Sequence, residues 1–180
     1  QLREWDGLVG LYRRQADSAA SQSEQTDFLL RVATIQHEIV VDPEAAIDTY
    51  RAVLDLDESE ATALKGLERL YTQESRWYDL ADLFRAVADR AQEADQDGAQ
   101  YRLATLLNSQ LGQAAEAVGI CRDILARTPE FRPARRTLEA LVRAERDPDL
   151  RLEVAVLLRG LYDPQRDWEK LVVVLEVELE

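Results

Sequence analysis

Gly66-Leu67-Glu68-Arg69-Leu70-Tyr71 opens a phrase that runs on to Trp77, Leu80 and Phe84. The phrase returns: Leu158, Leu161, Tyr162, Trp168, Leu171 and Leu175 each lie 91 residues after Leu67, Leu70, Tyr71, Trp77, Leu80 and Phe84. A partial copy opens the chain, where Trp5, Leu8, Leu11 and Tyr12 lie 72 residues before Trp77, Leu80, Leu83 and Phe84. Repeated internal spacing of this kind marks an array of like supersecondary units. The apolar positions within each copy mostly recur three or four apart, so the units are helical.

Composition agrees. The 180 residues are 46% hydrophobic and 32% charged, with only 7 Gly and 5 Pro. Ala, Leu, Glu and Arg, all good helix formers, dominate, and no Val/Ile/Thr-rich run alternates with period two. The class is all-α. The net charge of −13 disfavours nucleic acid and anionic membrane as partners. No run of about 18 apolar residues is present to cross a bilayer. Basic residues are almost all Arg, with Lys only at Lys65 and Lys170, a bias that fits a GC-rich bacterial genome. Without a signal peptide the expected compartment is the cytoplasm. The chain has no Met, starts inside a helical pattern at Gln1 and ends in an apolar helix, so a piece of a longer array is expected.

Taken in order, residues 2–17 read as one helix with Trp5, Leu8, Leu11, Tyr12 and Ala16 inward. Residues 18–24 read as a loop, and Asp27 as the cap of a helix reaching Val40. Asp42-Pro43 is the clearest start signal, an N-cap followed by proline at the first helical position. That helix ends near Asp57, Ser59 restarts the next, and a turn at residues 73–75 leads into a helix over residues 76–93. Asp95-Gln96-Asp97-Gly98 reads as a polar break. Helices over 99–111, stopped by Gly112, over 114–126 and over 131–145 follow. Asp147-Pro148 starts another, Asp163-Pro164 breaks it, and a last helix, apolar over most of its circumference, runs from about Asp167.

A second period of 71 residues aligns Arg31, Ala33, Thr34, Ala46, Ile47, Arg51, Leu54, Ala63, Leu67 and Leu70 with Arg102, Ala104, Thr105, Ala117, Val118, Arg122, Leu125, Ala134, Leu138 and Leu141. Half of it is the length of one helix–turn–helix unit. On these residues the sequence resembles the tetratricopeptide repeat family. The stretch from Ala46 to Asp57 is similar to that family's second helix, Ala117–Pro129 repeats its phase, and Trp77 matches the aromatic that opens it. In this phase the repeats cover residues 27–60, 61–97, 98–131, a shortened 132–151, and 152–180, after the remnant of a truncated repeat at 1–26. The sequence departs from the family where a tryptophan is replaced by Leu30, Leu64, Tyr101 and Arg135, and a glycine by Thr34, Glu68, Thr105 and Glu139. Looser packing of the helix pairs is therefore expected.

The resemblance implies a right-handed α-solenoid of antiparallel helix pairs, a superhelix whose first helices line a concave groove for a peptide or protein segment. Candidate groove residues are the same-phase row Arg31, Lys65, Arg102 and Arg136, spaced by 34, 37 and 34 residues, with Arg69 and Arg143 beside it and Thr62, Gln73, Leu106 and Gln110 among them. A basic row in an acidic chain suits an acidic segment or a C-terminal carboxylate, which Arg binds with paired donors. The opposing reading is a solvated face with intrahelical pairs such as Lys65 with Glu68. The asparagines of the family's two-carboxylate clamp are missing at Ile35, Arg69, Leu106 and Ala140, which argues against a chaperone-tail receptor.

No glycine-rich phosphate loop, serine elbow or metal motif occurs, so no catalytic residue and no cofactor is assigned. Cys121, the only cysteine, reads as a buried thiol, and His37, the only histidine, as a structural residue. Trp5, Trp77 and Trp168 read as packing residues. The functional expectation is a non-catalytic interaction scaffold; the alternative is self-assembly into a homo-oligomer through the terminal helices.

Overall fold

The computed structural model describes residues 2–144, 146–162, 172 and 174. Among them all regular structure is helical. The helices are α1 (Leu2–Asp17), α2 (Gln22–Ile35), α3 (Pro43–Leu56), α4 (Ala61–Gln73), α5 (Trp77–Arg90), α6 (Glu93–Ser109), α7 (Ala114–Arg127), α8 (Arg132–Ala144) and α9 (Pro148–Tyr162). The chain divides into two compact units, Gln1–Leu83 and Phe84–Glu180. In the first, α1 packs on α2, α2 on α3 and α3 on α4. In the second, α6 packs on α7, α7 on α8 and α8 on α9. Connections of a few residues make such neighbours antiparallel. The expected break at Asp163-Pro164 and the last helix with Trp168 lie outside the described residues, apart from Val172 and Val174.

One start and one stop fall where the sequence placed them. Asp42 Oδ1 accepts from the Ala45 N–H at 3.0 Å and Pro43 occupies the first turn of α3. Gly112 takes the left-handed conformation after α6, at φ 64°, where only glycine is free of Cβ strain.

Other boundaries move for identifiable reasons. Residues 18–24 are only partly a loop, because α2 begins at Gln22. Ser21 Oγ accepts from Glu24 N at 3.2 Å, while Glu24 Oε2 accepts from Ala20 N at 3.0 Å. This near-reciprocal box caps the helix, and Asp27 lies exposed within it. Ser59 does not restart a helix. Its N–H and hydroxyl both donate to Asp57 Oδ1, at 2.9 and 2.7 Å, which holds that carboxyl below its usual pKa, and Glu60 caps α4. Asp95–Gly98 is not a break, since α6 has already begun at Glu93. Acidic Glu93 and Asp95 suit its first turn. Asp97 then accepts from the Thr128 hydroxyl at 2.6 Å and from Arg127 Nη2 at 2.8 Å, tying the start of α6 to the end of α7. Burial opposes the Asp97 charge, and these bonds more than offset it, leaving the carboxyl below its usual pKa.

The core follows the helical stripes. Ala46, Ile47, Tyr50 and Val53 are buried on α3, Leu67, Leu70 and Tyr71 on α4, and Ala117, Val118, Cys121, Ile124 and Leu125 on α7. Trp5 and Trp77 are partly buried. Leu11 departs from its expected inward position and is 44% exposed. It sits at the margin of a stripe centred on Trp5, Leu8, Tyr12 and Ala16. At one joint the packing is close rather than loose. A Cβ on Gly66 would lie 2.5 Å from Tyr50 Cζ, so α3 approaches α4 through the missing side chain.

The end of α2 differs from any helix pattern in the sequence. Residues Gln36–Val40 form a π-helical turn, and Val41 follows at φ 59°, ψ 47°, in the left-handed region. A β-branched residue there is strained by about 1–2 kcal/mol. The Asp42 N–H closes the turn on the Gln36 carbonyl at 2.9 Å.

Candidate functional site

In the first unit, α2 and α4 carry Arg31, Thr62, Lys65, Arg69 and Gln73, all exposed as the repeat phase requires. Arg31 lies over the Tyr12 ring at 5.6 Å, a contact that fixes its stem and leaves its charge at the surface. Lys65 forms no ion pair with a described residue. The Thr62 N–H is taken up by Glu60 Oε1 at 2.9 Å. Arg69 and Gln73 converge on a cavity of about 390 Å³, lined also by His37, Glu38, Val41, Pro43, Leu70 and Glu74. Arg69 Nη1 is 4.0 Å from Glu38 Oε1, at side-chain exposures of 60% and 57%.

In the second unit, α6 and α8 carry Arg102, Gln110, Arg136 and Arg143, with Gln110 just past the end of α6, and all are exposed. The Arg102 guanidinium stands over the Phe84 ring at 4.5 Å. Leu106 differs from this set. It is 6% exposed, because Leu103, Ala104, Leu106 and Leu107 together form a wide buried stripe on α6.

A separate cluster in the first unit joins α3, α4 and α5. Tyr71 lies between two guanidinium groups, Arg51 at 5.7 Å and Arg76 at 5.4 Å from its ring centre. Arg51 Nε donates to the Tyr71 hydroxyl at 2.9 Å. Asp79 accepts from Arg51 Nη2 at 2.9 Å and Arg76 Nε at 2.8 Å, and Arg76 Nη1 reaches Glu44 at 3.0 Å. These bonds join α3, α4 and α5.

Cys121 is fully buried, and loss of solvation pushes its thiol up to about 11. A thiol in this state is not a nucleophile. Among the described residues no group of His, Cys, Asp and Glu could hold a metal ion. No helix among them is long and apolar enough to cross a membrane. His37, read from the sequence as a structural residue, is partly buried on the wall of the α2–α4 cavity. His37 and Glu38 come to the cavity beside Arg69 on the π-turn, which leaves no mark in the sequence.

No family model matches the chain, and no curated protein matches it in sequence. Among solved structures it is similar to a crystal structure of MamA, at 19% identity and a TM-score of 0.47, over 92% of this chain and 91% of that one. A second crystal structure of MamA aligns at 17% identity and a TM-score of 0.47, over 91% and 94%. YrrB, a TPR protein with an unusual peptide-binding site, aligns at 20% identity and a TM-score of 0.44, over 83% and 82%. Among the described residues, the all-helical, consecutively packed architecture that the tetratricopeptide resemblance implied is present in each unit.

Proposed function

We infer that this chain is a non-catalytic interaction module that binds a peptide or protein segment on the first-helix faces of the repeats within each unit. These are the faces of α2 and α4 in the first unit and of α6 and α8 in the second. The observation that carries this reading is the exposure of Arg31, Lys65, Arg102 and Arg136 at one repeat phase in a chain of net charge −13. Cations kept in phase on a chain of net negative charge favour an acidic segment or a terminal carboxylate as the partner's contact.

Charge reversal tests the reading. Replacing Arg102 and Arg136 by Glu, with Arg31→Glu and Lys65→Glu as a second pair, should weaken capture of the native partner at least tenfold and reduce the salt dependence of its association. Unchanged affinity in both double variants would sink it.

A further inference from the structure

The π-turn Gln36–Val40 and the left-handed Val41 set His37 and Glu38 across one cavity from Arg69 and Gln73. The ion pair in that cavity is long. Arg51, Arg76, Arg85 and Arg127 hold carboxylates at 2.8 to 3.0 Å, and Arg122 stands 3.4 Å from Asp123 and from Glu153. Arg69 stands 4.0 Å from Glu38, with both side chains more than half exposed. At that distance no hydrogen bond is made, so the guanidinium keeps its donors for another acceptor. The Gln73 amide adds a donor beside it, and the His37 imidazole lines the same space. Glu38 and Glu74 close the acidic side. At the rim Val41 is 73% exposed, an apolar side chain on a backbone in the left-handed region.

We propose that this cavity is a subsite for an acidic side chain of the bound segment, and that Glu38 guards it by holding Arg69 until the incoming carboxylate displaces it. The ligand carboxylate takes the paired donors of the guanidinium and the Gln73 amide, and Val41 lies against the adjoining ligand backbone. Glu38 swings to solvent, which costs little for so open a pair. The guard also confers selectivity. A neutral side chain offers nothing in place of Glu38, and a second basic group would meet Arg69. This subsite rests on the interaction reading above and names the ligand group for one part of it.

Because His37 is the single histidine of the chain, its ring resonances report on the cavity without ambiguity. The test titrates the full chain with a peptide of alternating Glu and Gly, and with its Gln counterpart, following the His37 ring and the Arg69 side chain by NMR. The expected result is a saturable shift of both with the Glu peptide and none with the Gln peptide. Glu38→Gln should tighten Glu-peptide binding about two- to fivefold, the worth of the exposed pair it removes. Arg69→Gln should abolish the His37 shift. Both variants alter exposed side chains, and circular dichroism checks that the helices persist. Equal shifts with both peptides, or weaker binding after Glu38→Gln, overturn the subsite. Shifts confined to Arg31 and Lys65, with His37 unmoved, overturn the subsite while leaving the interaction surface standing. No shift at any of these residues removes both.

Discussion

The side-chain amide of Gln36 donates to the Thr49 hydroxyl at 2.6 Å, within the core of the first unit. Thr49 has one hydroxyl proton and gives it to the Ala45 carbonyl at 2.8 Å, so towards Gln36 it can only accept. In this orientation the Gln36 nitrogen also reaches the Ala45 carbonyl at 3.2 Å, and its oxygen accepts from Arg13 Nη2 at 3.2 Å. One buried amide thereby links α1 and α3 to the π-turn. Gln36→Leu leaves the Arg13 and Thr49 groups short of a partner and should cost about 1–3 kcal/mol in urea unfolding. Gln36→Leu combined with Thr49→Val should cost less than the sum of the two single changes, because the second removes the orphaned acceptor. Strict additivity would show that the link carries no coupling.

Gly66 lies where a methyl group would meet the Tyr50 ring, itself only 4% exposed. Helix propensity alone would make Gly66→Ala stabilising by about 1 kcal/mol. Overpacking against a ring that has nowhere to go should reverse the sign and destabilise by about 1–3 kcal/mol. Tyr50→Phe should not relieve this, since the clash is with ring carbons. Tyr50→Leu should relieve it in the Gly66→Ala background. Thermal unfolding of the three variants decides, and a stabilised Gly66→Ala would show that the joint is looser than its distances.

Cys121 ties stability to alkaline pH. Its folded pKa of about 11 exceeds the ordinary value of 9.0, so the native state favours the neutral thiol. Its contribution is fully present below pH 9.0 and declines as the unfolded state sheds its proton between 9.0 and about 11. Complete loss amounts to about 2–3 kcal/mol. Cys121→Val should flatten the fall in stability across that window. A thiol reagent at neutral pH should label the wild-type chain only at the rate of its unfolding, and fast labelling of the native protein would contradict a buried thiol.

Much of the fold is written locally. The stripes through Ala46–Val53 and Ala117–Leu125 place their buried faces without reference to anything distant, because helical periodicity is a property of neighbouring residues. Asp42-Pro43 and Asp147-Pro148 mark starts for the same reason: caps act within one turn. Ser21-Gln22-Ser23-Glu24 is equally legible as a cap, since Ser and Glu three apart form a capping box. Asp95–Gly98 was not legible. It reads as a turn, and only the bonds from Thr128 and Arg127 to Asp97 explain a helix there.

The candidate surface divides along the same line. The sequence by itself determined an all-helical array with one basic residue per repeat phase, and the exposure of Arg31, Lys65, Arg102 and Arg136 is set by the helical positions they occupy. Leu106 needed the structure, because its burial depends on how wide a stripe the neighbouring helix covers. The cavity beside Arg69 needed it still more. A π-turn adds one residue to a helical circuit, and nothing in Gln36–Val40 requires that, since its hydrogen bonds compete closely with those of an ordinary turn. What fixes it is the buried amide of Gln36 and the left-handed Val41, and both take their conformation from helices that contact the turn only after the chain has folded.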